Sequence, residues 1–137
     1  MQVLRAPTSP AADVTPEAAS GTITRYDYGA FGEPSGAAFI VAFDPGSRTE
    51  WHIHNAGQFI YVLDGTGVIV TRDGDHSILG LGDVVVVPGG ESHWHGALPE
   101  TSLRHLTLSI GGSERGEPVD EETYLVGVRL ATLNMPR

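Results

Sequence analysis

The fold is decided by residues 46–65, GSRTEWHIHNAGQFIYVLDG, which carry two histidines and a glutamine around a bend. His52 and His54 are two residues apart, so on a strand both side chains project to one face while Ile53 turns away. Gln58 follows the bend Asn-Ala-Gly and can return its amide oxygen to the same point. These residues predict a strand-turn-strand unit that gathers nitrogen and oxygen donors.

A second stretch, residues 82–93 (GDVVVVPGGESH), supplies another donor. Pro88 ends the valine run, and Gly90 permits a tight loop that delivers His93 at the start of a new strand. The chain has no cysteine, so a metal site must use nitrogen and oxygen ligands. Four such ligands on an octahedral ion would leave two positions open for substrate or water, which is typical of catalytic sites. The predicted metal ligands are His52, His54, Gln58 and His93.

Short strands separated by turns account for residues 22–112, where no amphipathic helix is recognisable. Many short strands at close spacing predict an all-β sandwich or barrel. The four valines of residues 84–87 predict a strand that is buried on both faces. The predicted strands are Ile23–Tyr28, Ala37–Phe43, Gln58–Leu63, Val68–Thr71, His76–Leu79, Asp83–Val87, His93–Ala97 and Leu103–Ile110.

Three segments are expected along the chain. Residues 1–20 are rich in Ala, Pro, Ser and Thr and predict a flexible N-terminal arm that packs on the barrel or on a neighbouring subunit. Residues 21–115 form the barrel, and residues 116–137 form a C-terminal extension. Within that extension, Val119–Tyr124 is expected to form one helical turn capped by Asp120, and residues 125–137 receive no assignment.

The composition narrows the possible partners. A length of 137 residues fits one domain, and a net charge of −9 without a Lys/Arg run argues against nucleic acid and anionic membranes as partners. No apolar stretch approaches the length of a membrane span. The N-terminus lacks the apolar core of a signal peptide, so a cytoplasmic location is expected.

The two stretches resemble the two motifs of the cupin superfamily, and the resemblance covers roughly residues 36–112. The matching positions are Gly46, His52, His54, Gln58 and Gly65 in the first motif, and Gly82, Pro88, Gly90 and His93 in the second. Gln58 replaces the usual Glu, and Ala97 replaces the usual closing Asn. The resemblance implies a single cupin (double-stranded β-helix, or jelly-roll) barrel that binds one divalent metal.

The substitution of Gln58 for Glu changes the expected charge of the site. A carboxylate ligand would remove one charge from the metal centre, whereas Gln58 and three neutral histidines leave it dipositive. Such a centre is a stronger Lewis acid toward oxygen-bearing ligands. It would bind its metal more weakly, and iron in it would be oxidised less readily.

Two further histidines are candidates for catalysis. His95 lies two residues after His93 and faces the same interior, so it is a candidate catalytic residue, fifth ligand or hydrogen-bonding partner. His105 shares a strand face with Leu103, Thr107 and Ser109, and an imidazole near a metal-bound substrate is a natural general base. The alternative for His105 is a structural, hydrogen-bonded histidine. His76 is expected to be exposed.

A narrower resemblance comes from residues 46–54, Gly57-Gln58, residues 93–97 and His105-Leu106. These resemble the small manganese cupins that include bacterial hydroxynitrile lyases. The resemblance implies manganese first, ahead of iron, nickel or zinc, and cleavage or synthesis of a cyanohydrin. In that reaction His105 would move the hydroxyl proton. The side chains expected to shape the pocket for this small-molecule substrate are Phe39, Val41, Phe59 and Tyr61.

Other functions share this ligand set, because fold and metal do not fix the chemistry. An iron-dependent dioxygenase of small molecules and a non-enzymatic metal-binding or ligand-binding cupin are the alternatives. A sugar isomerase or uronate enzyme would need more basic residues than Arg48 and Arg104, the arginines near the motifs. The strand face of Leu106, Leu108 and Ile110 is expected to be covered by the N-terminal arm or by a second subunit, and a homodimer is expected.

Overall fold

Two five-stranded antiparallel sheets form the body of the chain, of which the computed structural model describes residues 1–11, 18–33 and 35–135. The first sheet has the strand order β1-β2-β9-β4-β7, and the second has the order β10-β3-β8-β5-β6. The strands are β1 (Ile23–Phe31), β2 (Gly36–Phe43), β3 (His52–His54), β4 (Gln58–Gly65), β5 (Gly67–Thr71), β6 (His76–Leu79), β7 (Val84–Val87), β8 (His93–Ala97), β9 (Leu103–Ile110) and β10 (Ser113–Arg115). This double-sheet architecture confirms the predicted all-β jelly-roll class.

The turns fall where glycine allows them. Gly46, Gly65 and Gly90 have φ angles of 78°, 80° and 80°, a region that residues with a Cβ atom rarely adopt. Gly65 also has no room for a side chain, since a Cβ atom would lie 2.0 Å from the Ser102 carbonyl oxygen. Gly65 therefore ends β4, the strand of Gln58, and Gly90 lies in the turn before β8, the strand of His93 and His95.

The core between the sheets is built from the inward faces of both. Strand β9 shows the alternation clearly, with Leu103 and Thr107 buried and Arg104 exposed. Alternation of this kind is expected for a strand with one face in the core. The buried apolar residues of this core are Val41, Phe43, Ile60, Val62, Ile69, Leu79, Val87, Ala97 and Leu103.

The prediction that the valine run is buried on both faces is wrong. Val84 and Val86 are 51% and 72% exposed, whereas Val87 is buried. The reason is that the outer face of this antiparallel sheet is exposed at β7, so only the face of Val85 and Val87 meets the core. A run of valines cannot distinguish this one-sided edge strand from a strand buried on both faces.

A helix, α1 (Glu121–Leu133), covers the outside of the second sheet. Asp120 is its N-cap and accepts a hydrogen bond from the Thr123 backbone N–H at 2.7 Å, as the sequence predicts. The helix is 13 residues long, however, where one turn was expected. The Tyr124 hydroxyl donates to the Ala97 carbonyl oxygen at 2.6 Å. The helix and sheet share a second core of Trp51, Val68, Trp94, Val119, Tyr124 and Ala131.

The described part of the N-terminal segment lies along β1. The Gln2 side-chain amide donates to the Ala30 carbonyl oxygen at 3.0 Å, and the Ala11 backbone N–H donates to that of Arg25 at 2.8 Å. Residues 12–17 of the expected arm, and residues 136–137 of the expected extension, lie outside the described residues. Across the described ranges, α1 included, no helix has the length and apolarity to span a membrane.

Candidate metal centre

The strand registers bring the histidines of distant segments together between the sheets. His52 of β3 lies directly opposite His93 of β8, and their ring centroids are 4.3 Å apart. From the other sheet, β4 contributes Gln58 and β9 contributes His105. Both sheets therefore supply donors to one interior region. The buried polar side chains gathered there are His52, His54, Gln58, His93, His95 and His105.

Three of these histidines form a group that could hold a metal ion. One nitrogen each from His52, His93 and His95 lies within 4.8 Å of the other two. In addition, Nε2 of His93 is 2.9 Å from Oε1 of Gln58. Neighbouring ligands on one octahedral ion are about 3 Å apart when each bond is 2.0–2.1 Å, so this pair fits two adjacent ligands.

His54 lies beside this group but is not one of the three histidines whose nitrogens lie within 4.8 Å of one another. Its ring centroid is 5.1 Å from that of His52 and 5.6 Å from that of His93. Its Nδ1 is hydrogen-bonded to the Ser109 hydroxyl at 2.7 Å, and its buried Nε2 has no hydrogen-bond partner among the described residues. A buried nitrogen without a partner is unfavourable, and a metal ion would satisfy it.

The orientation of two histidines is fixed by the backbone. Nδ1 of His52 donates to the Glu50 carbonyl oxygen at 2.8 Å, and Nδ1 of His93 donates to that of Glu91 at 3.0 Å. These bonds fix the tautomer and leave the Nε2 lone pair for a ligand interaction. His76, away from the centre, makes the same bond to the Gly74 carbonyl oxygen at 2.9 Å. All three histidines are the first residue of a strand. The hydrogen bond from Nδ1 to the carbonyl oxygen two residues earlier is therefore a local feature of these strand starts, and in His52 and His93 it also orients the metal-binding candidates.

Burial keeps the imidazoles neutral. It is the main cause that lowers the pKa of His54 to about 4 and the pKa of His52 well below its usual value, with the neighbouring His93 second in both cases. Burial also lowers the pKa of His93 and, more strongly, that of His95. A neutral imidazole is the form that binds metal, so protons compete little for these nitrogens at neutral pH.

His105 lies next to His95 and does not line the cavity. It is fully buried, and its Nδ1 is hydrogen-bonded to the Thr107 hydroxyl at 2.9 Å. Its ring centroid is 5.1 Å from that of His95, and its buried Nε2 has no hydrogen-bond partner among the described residues. Burial lowers the pKa of His105 to about 3. The ring is thus neutral and adjacent to His95.

The donors open on a small cavity of about 70 Å³. The side chains of His52, His54, Gln58 and His95 belong to its polar wall, and Phe39 belongs to its apolar wall. This volume fits a small molecule, since one water needs roughly 10–15 Å³ on this scale. Neither His93 nor His105 lines the cavity.

Two expectations about the cavity wall need correction. Phe39 and Val41 line it as expected, but Phe59 and Tyr61 are 38% and 40% exposed on the outside of the sheet. The reason is strand alternation, because an inward Gln58 requires Phe59 and Tyr61 to point outward. Two arginines that the sequence analysis did not single out, Arg25 and Arg115, also line the cavity. They lie far from the motifs in sequence, and only strand pairing brings them near.

Comparisons with known proteins agree with this arrangement. A family model described as a Cupin domain matches residues 39–109, more than half of the chain. The (R)-mandelonitrile lyase of Granulicella tundricola is 44% identical over 72 residues, which are 53% of this chain and 55% of that protein. The match therefore spans about half the length of this curated relative.

Solved structures share the fold over almost the whole chain. A cupin-like protein from Thermotoga maritima superposes with a TM-score of 0.76 and 29% identity, covering 93% of this chain and 97% of that one. The polyketide cyclase RemF from Streptomyces resistomycificus gives a TM-score of 0.66 and 21% identity, covering 93% of each chain. The second likeness concerns the fold alone. With the family model matching more than half of its residues, the chain belongs to the cupin family.

Proposed function

We propose that this cupin is a mononuclear metal-dependent lyase of the hydroxynitrile lyase type, which cleaves or forms a small cyanohydrin. The observation that carries the proposal is the group of buried neutral histidines that opens on a cavity of about 70 Å³. The partial likeness to an (R)-mandelonitrile lyase supports the choice of reaction. Manganese is the metal we propose first, ahead of iron, nickel and zinc.

The proposed ligands are His52, His54, Gln58 and His93, with His95 as a candidate fifth donor. When bound, the metal would act as a Lewis acid that polarises a substrate oxygen. The bare Nε2 of His54 and the 2.9 Å pair of His93 and Gln58 support this set. The proximity of His95 to His52 and His93 supports its inclusion.

The proposed proton acceptors are His95 and His105. In cyanohydrin cleavage the hydroxyl loses its proton, the C–O bond becomes a carbonyl, and the C–CN bond breaks with its electron pair leaving as cyanide. Cyanide then takes up the proton to give hydrogen cyanide. If it is not a ligand, His95 presents a neutral imidazole at the cavity wall, so it is the first candidate to accept the hydroxyl proton. The second candidate is His105, whose ring lies 5.1 Å from that of His95 and whose buried Nε2 has no hydrogen-bond partner among the described residues.

Release of benzaldehyde from mandelonitrile tests this function. We expect manganese-loaded protein to release benzaldehyde faster than metal-free protein, and a His52→Ala, His93→Ala double variant to lose this excess. A His76→Ala variant is the matched control, because His76 lies outside the centre, and it should retain activity. A second assay uses the smaller cyanohydrin lactonitrile and measures acetaldehyde release, so that an enzyme that prefers a smaller substrate is also detected.

Two outcomes would contradict the proposal. One is that loaded wild-type protein cleaves neither cyanohydrin above the metal-free rate. The other is that the iron-loaded protein consumes oxygen with an added small substrate while cyanohydrins remain intact, which would favour the oxygenase alternative.

A further inference from the structure

Two cationic side chains line the cavity in addition to the metal-binding candidates. Arg25 comes from β1 and Arg115 from β10, so they reach the cavity from different sheets. No Asp or Glu side chain among the described residues belongs to the cavity wall. The cavity of this acidic protein, whose net charge is −9, is therefore lined by positive and neutral groups.

Arg115 is held close to the proposed ligands. It lies opposite His52 in the pairing of β10 with β3, and one of its Nη atoms donates to the fully buried Glu50 carboxylate. Its positive charge contributes to the lowered pKa values of His52 and His54. The charge of Arg115 therefore acts on the histidines of the centre even though Arg115 is paired with Glu50.

Arg25 is held by two contacts of its own. Its Nε donates to the Asp27 carboxylate at 2.5 Å, and its guanidinium carbon lies 3.8 Å from the centre of the Phe39 ring. Stacking on an aromatic ring fixes the guanidinium plane. Because Phe39 itself lines the cavity, this contact fixes Arg25 at the cavity wall.

Both arginines retain unused donors. A guanidinium carries five N–H groups, and each of these arginines gives one nitrogen atom to its acidic partner. The remaining nitrogens have no hydrogen-bond partner within the described residues. Their acidic partners, Asp27 and Glu50, do not line the cavity. A planar guanidinium with free N–H groups is well suited to bind a carboxylate.

We propose that Arg25 and Arg115 form a carboxylate subsite, so that the cyanohydrin this cavity favours is that of a small oxo acid, with neutral cyanohydrins as poorer substrates. The inference rests on the proposed function in one respect, which is the role of the metal. The metal would face the hydroxyl or carbonyl oxygen of the substrate, while the arginines bind its carboxylate. The arginine subsite itself depends only on the cavity and its wall.

Lactate and its neutral isostere lactamide are the probes for the subsite. In calorimetric titrations of manganese-loaded protein, we expect lactate to bind at least about 10-fold more tightly than lactamide, since hydrogen bonds between a guanidinium and a carboxylate are roughly twice as strong as those to a neutral group. Arg25→Gln should remove most of this preference. Arg115→Gln is made together with Glu50→Gln, so that no buried carboxylate is left unpaired. Arg104→Gln, an exposed site on the outer sheet face, is the charge-matched control and should keep the preference.

The same titrations on metal-free protein separate this inference from the proposed function. If the protein binds no metal or cleaves no cyanohydrin but still prefers lactate through Arg25 and Arg115, the proposed function fails and the subsite stands. If lactate and lactamide bind equally in both states, or if both arginine variants keep the preference, the subsite is overturned whatever the cyanohydrin assay shows.

Discussion

The histidines of the centre are buried among one another, and this lowers their affinity for protons. The pKa of His54 is about 4 and that of His105 about 3, with burial as the first cause of both. An unfolded histidine binds a proton near pH 6.5. Below that pH the unfolded chain therefore takes up protons that the folded chain refuses, and acid favours unfolding.

We therefore expect the metal-free protein to lose stability as the pH falls through about 6.5, and to go on losing it toward pH 4. Each histidine contributes up to about 1.4 kcal/mol per pH unit within the window between its unfolded and folded pKa values. Urea unfolding at pH 7.5, 6.0 and 5.0 measures this. Replacement of His105 by Gln should reduce the pH dependence of the free energy of unfolding by the uptake of about one proton. A free energy of unfolding that is constant over this range would contradict the account.

At the scale of residues, the sequence predicted which side chains face inward wherever strand alternation alone decides the direction. His52 and His54, and likewise His93 and His95, were expected to face inward, and all four are buried. The sequence could not predict that the three histidines with nitrogens within 4.8 Å of one another are His52, His93 and His95, because this depends on how β3 and β8 are paired. The approach of Arg115 to His52 depends in the same way on β10.

At the scale of elements, the strands were more predictable than the helix. Each predicted strand corresponds to an observed one, since turn residues and short apolar runs mark their limits. The sequence predicts one helical turn over Val119–Tyr124, whereas α1 continues to Leu133. The apolar residues of α1 do not form one clean face, since Leu125, Val126 and Leu130 are all exposed. Gly127, in the middle of the helix, further weakens the helical pattern.

Gly127 is unfavourable for helix formation, but it allows the helix to pack closely against the sheet. A Cβ atom there would lie 2.7 Å from the Trp94 ring and 3.0 Å from a Val70 methyl group. We expect Gly127→Ala to destabilise the protein by about 1–3 kcal/mol through overpacking, despite a gain in helix propensity of about 1 kcal/mol. Chemical denaturation measures the difference. The control is Val126→Ala, at a site 51% exposed, and a stabilised Gly127→Ala variant would refute the packing role.

At the scale of the whole molecule, the first sheet leaves an apolar outer face. Phe59 and Tyr61 of β4 and Val84 and Val86 of β7 are exposed side by side, because β4 and β7 are paired strands. Exposed apolar patches of this kind often mark protein interfaces. Strand β7 is the last strand of its sheet among the described residues, and an edge strand is a further site for association. We infer that a second copy of the chain covers this face and forms the expected homodimer.

Light scattering tests the association. We expect a particle of about twice the chain mass of 14.5 kDa, and dissociation to the monomer on replacement of Val86 by Arg. Leu125→Arg, which places the same charge on the exposed face of α1, is the control and should leave the dimer intact. A monomeric wild-type protein would contradict this interface, as would dissociation by the Leu125 variant alone.

The metal content of protein purified without an affinity tag tests the central claim most directly. We expect about one divalent ion per chain, held by the histidine group with Gln58, and loss of that ion in the His52→Ala, His93→Ala variant. His76→Ala should retain it. Wild-type protein that contains no metal, and that takes up none when offered manganese, iron, nickel or zinc, would contradict the claim.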